Sequence, residues 1–167
     1  GMYSAVTKAF SKRAYVVCDK DKSMAKSLIE RLEVHHDDMF INVDRANSLV
    51  TDKTLLIIVD THSPDFIESP KLYKACSHVI VIDHHRKAVD YISNAVIFFL
   101  DPSASSASEM VTELIEYIPA ITTPGSFAAD ALLSGIMLDT KNFILRAGAR
   151  TFEAAAYLKT QGAEAVR

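Results

Sequence analysis

Cysteine is scarce in this 167-residue chain, which holds only Cys18 and Cys76. The two stand in no metal-ligand spacing and supply no disulfide framework, which fits a reducing compartment. Positive charge is not in excess either. Lys and Arg number 18 against 21 Asp and Glu, for a formal net charge of −3. That excludes the basic footprint of a stable binder of long nucleic acid. It still permits phosphate to be held locally, through a metal or a helix N-terminus. No apolar run reaches the roughly 18–20 residues that a membrane crossing requires, and no signal-peptide pattern is visible. Internal repeats, low-complexity tracts and linkers are missing as well. What the chain does have is apolar content, 49% of its residues. At this length that predicts one domain over 1–167 with a substantial core and no second domain.

The apolar residues fall into two kinds of pattern. Met2, Val6 and Phe10 recur at helical spacing and predict a helix over 2–12. "AYVVC" (14–18) reads as a buried strand. Ser23 precedes Met24, Leu28, Ile29 and Leu32, which predicts a helix with Ser23 as N-cap. "MFINVD" (39–44) suggests a short strand. "TLLIIVD" (54–60), "HVIVID" (78–83) and "AVIFFL" (95–100) read as strands, and 63–76 as a loop with a helical turn or short helix. Residues 105–118, 125–138 and 150–162 read as helices, the last stopped by Gly162. Strands that are continuous apolar runs, alternating with helices, indicate an α/β fold. Its sheet is mostly parallel and Rossmann-like, with helices on both faces. Sites in such sheets form outside the carboxyl ends of the strands.

Chemistry-bearing residues gather where that rule points. "LLIIVD" ends at Asp60, followed by Thr61 and His62. "VIVID" ends at Asp83, followed by His84 and His85. Asp139 closes the run "LLSGIMLD". Carboxylates collected at one rim repel one another unless a cation lies between them. Mixed Asp and His ligands suit Mn²⁺, Fe²⁺ or Zn²⁺, whereas an all-oxygen set suits Mg²⁺. A lone strand-end Asp is more often a turn former or cap. His35-His36, after a helix, reads as a pair favoured by the helix dipole. His78 reads as an ordinary surface residue, and His62 and Asn142, beside the motif acids, read as candidates to support those acids without being ligands.

Two further stretches have double readings. Ser106 and Glu109 fit a capping box, and the same Ser-rich helix start can face a phosphate. Arg146 and Arg150 flank a glycine in "ILRAGARTF". Their guanidinium groups can pair with phosphate, with an acid, or with solvent.

With these residues in view, "VIDHH" resembles the signature of the DHH phosphoesterases. "VDTH" (59–62), "DHH" (83–85) and "LDTKNF" (138–143) match three of the family's motifs in order. The flanks "SASSASEMVTELIEY" (103–117) and "RTFEAAAYLKTQGA" (150–163) are similar to the GdpP/YybT family of cyclic-di-AMP phosphodiesterases. The family's opening H-x-x-x-D-x-D loop occurs nowhere in these residues. Its DHH-associated domain has no counterpart here either. The resemblance therefore implies a truncated catalytic core that begins just after that loop and lacks the first strand.

The resemblance also implies roles. Asp60 would bridge two metals about 3.5–4 Å apart, and His84 and Asp139 would bind the second. His85 would contact the scissile phosphate or leaving oxygen, and Asp83 would orient His84. Ser106, Arg146 and Arg150 are the candidate substrate contacts. The implied metal is Mn²⁺, two ions in a complete protein and at most one, weakly held, on these residues alone. The implied reaction opens cyclic di-AMP to linear pApA, with little activity in the fragment. Relatives carry transmembrane helices, a PAS-like sensor and a degenerate GGDEF domain, so a cytoplasmic domain of a membrane-anchored protein is expected. The domain itself would make no membrane contact. An unpaired strand edge would favour a homodimer. The alternatives are a RecJ-like or oligoribonuclease-like exonuclease and a degenerate, non-catalytic binding module. A family II inorganic pyrophosphatase fits the flanks poorly.

Overall fold

A computed structural model describes residues 1–21, 23, 25–34, 38–118 and 125–164. In chain order the elements are α1 (Met2–Phe10), β1 (Val16–Val17), α2 (Lys26–Glu33), β2 (Phe40–Ile41), α3 (Val43–Leu49) and β3 (Leu55–Val59). A 3-10 turn (Pro64–Phe66) and α4 (Pro70–Ala75) follow, then β4 (His78–Asp83), β5 (Ile97–Leu100), α5 (Ala107–Glu116), α6 (Ser126–Asp139) and α7 (Ala149–Thr160). Contacts divide the chain into two units. One comprises Ala14–Ile82 and Lys87–Phe99, the other Gly1–Arg13, Asp83–Arg86 and Leu100–Arg167.

The first unit carries the sheets. β3 and β4 are the two longest strands, and they pair in parallel from Leu55↔His78 to Val59↔Ile82. The strand order is β3-β4-β5. β4 is central in that order, which explains why Val79 and Val81 are wholly buried. Ile58, Val79, Val81 and Ile92 form one core cluster, with Phe98 and Tyr73 packed against it. Each such side chain contributes about 1.5–3 kcal/mol of burial. A second cluster, Ile41, Ala46, Leu72 and Cys76, lies under Tyr15 and Val17. Burial pushes the Cys76 thiol above its ordinary range.

Sequence and structure differ around the first sheet. β1 and β2 form a separate parallel pair of only two residues each, Val16↔Phe40 and Val17↔Ile41. The strand read over 39–44 stops early because Asn42 caps a helix. Its Oδ1 accepts the Arg45 N–H at 2.9 Å, starting α3, which periodicity did not reveal. Ser23 is not the cap of α2. That helix starts at Lys26 after Ala25, and Ser23 Oγ accepts the Ala25 N–H at 3.2 Å, two residues ahead of the cap position. Met24 and the His35-His36 pair lie outside the described residues.

The second unit is helical. α6 (SFAADALLSGIMLD) is apolar around most of its circumference, and it packs against both α5 and α7. Met110, Ile115, Ile136 and Leu158 form its wholly or almost wholly buried interior. Gly135 allows α6 to approach α5, since a Cβ there would fall inside the side chain of Ser108. No helix among the described residues is long and apolar enough to cross a membrane.

Candidate metal centre

The parallel register of β3 and β4 sets the geometry of the rim. Asp60 follows β3 directly, and its N–H donates to the Ile82 carbonyl at 2.9 Å. Asp60 is left-handed, with φ 67. This is a conformation that costs a non-glycine residue about 1–2 kcal/mol and that Asp tolerates better than most. Asp60, His84 and His85 each offer one ligand atom, and these atoms lie within 4.8 Å of one another. One carboxylate oxygen and two imidazole nitrogens at that spacing are a donor set suited to a first-row divalent cation.

The Asp-His-His turn is organised by its acid. Asp83 is wholly buried and its Oδ1 lies 2.7 Å from His85 Nδ1. The same oxygen accepts the His85 backbone N–H at 3.2 Å. Asp83 was expected to orient His84; the partner it holds through this oxygen is His85. His84 is buried, and its ring lies 4.5 Å from that of His85. Its Nε2 stands 3.8 Å from Asp139 Oδ2, at the carboxyl end of α6. The structure thus brings together Asp60, His84 and His85, and places Asp139 beside His84.

Asp139 is followed by an unusual turn. Lys141, Asn142 and Phe143 are successive left-handed residues, with φ 48, 57 and 65. Thr140, wholly buried, over-determines this geometry. Its Oγ1 accepts the Phe143 N–H at 2.9 Å, and its carbonyl accepts the N–H groups of Ile144 and Leu145. Phe143 stacks on Phe152 of α7 at 5.5 Å.

The remaining sequence candidates have structural partners. Ser106 is wholly buried and caps α5, accepting the Glu109 N–H at 3.0 Å. The Glu109 carboxylate receives a hydrogen bond from Ser105. Arg146 Nη2 donates to the carbonyls of Pro102 and Ala104 at 2.8 and 3.3 Å. Arg150 pairs with Glu113 and with Asp101, so of the three readings of this arginine, the structure shows pairing with acids. Both arginines fasten the loop between β5 and α5. That loop holds the Asp101 carboxyl at about 2, chiefly through the Ser103 hydroxyl and then through Arg150. Sequence reading missed Asp101 and Glu113, whose partner lies 49 and 37 residues away. It also left His62 without a partner, which the fold supplies in Ala88.

A family model described as the DHH family, N-terminal domain, matches residues 1–136. The chain is 41% identical over 165 residues to the cyclic-di-AMP phosphodiesterase GdpP of Geobacillus thermodenitrificans (strain NG80-2), covering 96% of this chain and 25% of that protein. It is 39% identical over 159 residues to the cyclic-di-AMP phosphodiesterase PdeA of Listeria monocytogenes serotype 1/2a (strain 10403S), covering 93% and 24%. The chain spans about a quarter of the length of these relatives. An exopolyphosphatase-related protein from Bacteroides fragilis shares the fold, with a TM-score of 0.67 at 19% identity over 95% of this chain and 56% of that one. The α/β fold, the ordered strand-end motifs and this match over residues 1–136 make the chain a member of the DHH family.

Proposed function

We propose that this domain is the metal-dependent core of a phosphodiesterase that opens cyclic di-AMP to linear pApA. The observation that carries the reading is the convergence of Asp60, His84 and His85, with Asp139 beside His84. The similarity to GdpP and PdeA supplies the substrate class.

Asp60, His84 and Asp139 would hold divalent cations of the Mn²⁺ type. Such ions, when bound, acidify a water for in-line attack and offset charge on the phosphate oxygens. The protein's own groups do the rest. The buried Asp83 fixes the ring of His85 through Nδ1, so His85 meets the scissile phosphate or the departing 3′ oxygen through Nε2. The left-handed turns at Asp60 and after Asp139 hold the ligand carboxylates before any ion arrives. Ser106, Arg146 and Arg150 serve the substrate indirectly, by fixing the loop from Asp101 to Ser106.

The 167 residues supply only one Asp from β3, the Asp-His-His turn and Asp139, and contain no H-x-x-x-D-x-D loop. On their own they would hold one ion at most, with little turnover. The test is turnover of cyclic di-AMP, pApA and short RNA by the full protein, with and without Mn²⁺. Cyclic di-AMP should be preferred, chelation should abolish turnover, and the isolated 167 residues should be far slower. Preference for RNA, or indifference to chelation, would overturn the reading.

A further inference from the structure

We propose that His62 is a positioning residue for Asp60, a role that rests on the metal-site reading above. His62 is buried, two residues beyond Asp60. Its Nε2 accepts the Ala88 N–H at 2.8 Å, which places the ring hydrogen on Nδ1. Its carbonyl accepts the Ile92 N–H at 2.9 Å. Ile92 is in turn fixed in the core cluster of Ile58, Val79 and Val81, and the His62 and Phe98 rings form a T-shaped pair with centroids 6.1 Å apart. The segment after β3 is therefore sewn at two points to the segment that follows the Asp-His-His turn.

This matters because Asp60 is left-handed. A non-glycine residue persists in that conformation only where its surroundings over-determine it. One anchor is the Asp60 N–H on the Ile82 carbonyl. A further anchor lies on the far side of Thr61, and it is His62. It restrains the peptide on that side and with it the direction of the Asp60 carboxylate. Without it, the peptide around Thr61 gains freedom to rotate toward an extended conformation. Asn or Ser at position 62 could not span to Ala88 while filling the space beside Phe98. A histidine does both.

The test uses the full protein and three variants. His62→Phe keeps a ring against Phe98 and removes the acceptor. His62→Gln offers an amide oxygen in its place. Ala88→Pro removes the donor from the other side. Titration calorimetry with Mn²⁺ alone should show His62→Phe and Ala88→Pro binding about 10–100-fold more weakly. The kcat for cyclic di-AMP should fall by a similar factor, with KM within about twofold. Amide exchange over 87–92 should accelerate in His62→Phe, and His62→Gln should recover most of the Mn²⁺ affinity. Wild-type Mn²⁺ affinity in a folded His62→Phe protein, or failure of Gln to rescue, would overturn the proposal. If the wild-type protein binds Mn²⁺ but leaves cyclic di-AMP intact, the phosphodiesterase reading falls and the titrations still decide the role of His62. If it binds no Mn²⁺, both fall.

Discussion

Arg150 grips Glu113 with two arms of its guanidinium, Nε and Nη2 each lying 2.8 Å from a carboxylate oxygen. Its third arm, Nη1, lies 2.8 Å from Asp101 Oδ2. Only a planar fork can serve both acids, so Arg150→Ala should destabilise the fold by about 1–2 kcal/mol, the groups being partly exposed. Arg150→Lys should recover less than half, because an ammonium cannot bind side-on. Urea unfolding of the three proteins checks this.

The same network predicts a pH dependence. The Asp101 carboxyl is held at about 2 in the folded protein, against 3.8 ordinarily. The folded value lies below the unfolded one, so the folded state favours the ionised form. Its contribution is therefore complete above about pH 4 and is lost as pH falls toward 2. Unfolding free energy measured between pH 5 and pH 2 should decline less steeply in Asp101→Asn. An unchanged slope would show that Asp101 does not titrate in this window.

Gly135→Ala should lower stability, although alanine is the better helix former by about 1 kcal/mol. The added methyl would overlap Ser108 on α5, and overpacking of this kind costs about 1–3 kcal/mol. Ser108→Gly should restore much of the loss in the double variant. Additive losses across the thermal-unfolding cycle would mean that the two residues do not meet.

The imidazoles should separate by assay. His84→Ala is expected to abolish Mn²⁺ binding. His85→Ala is expected to lower kcat about 10²–10⁴-fold, a range typical of a lost acid–base group, with Mn²⁺ affinity little changed. Asp83→Asn should lower kcat about 10–100-fold by loosening His85. Metal titration beside steady-state kinetics in the full protein distinguishes these, and equal loss of Mn²⁺ binding in both His variants would make His85 a ligand.

The sequence announced the rim more clearly than the rest of the fold. β3 and β4 are continuous apolar runs ending in acids, so their pairing carried Asp60 and the Asp-His-His turn to one edge without further information. The first sheet was harder, because two-residue strands leave no periodicity to read. α3 was missed because seven residues barely complete two turns, although Asn42 before Val43 was a usable cap signal. The partners of Arg150 and His62 could not be read, since long-range polar pairs leave no local pattern. That Asp83 Oδ1 engages His85 turned on a side-chain direction, and spacing along the chain does not encode direction.

The left-handed triplet Lys141-Asn142-Phe143 bears on how this chain tolerates sequence drift. Lys141 and Asn142 face solvent, where side-chain identity ordinarily matters little. Here the filter is the main chain. Valine or isoleucine at either position would meet a steric penalty as severe as a poor fit in the interior, whereas glycine or asparagine would pass. A survey of substitutions should therefore mark these two surface positions as intolerant of branched residues.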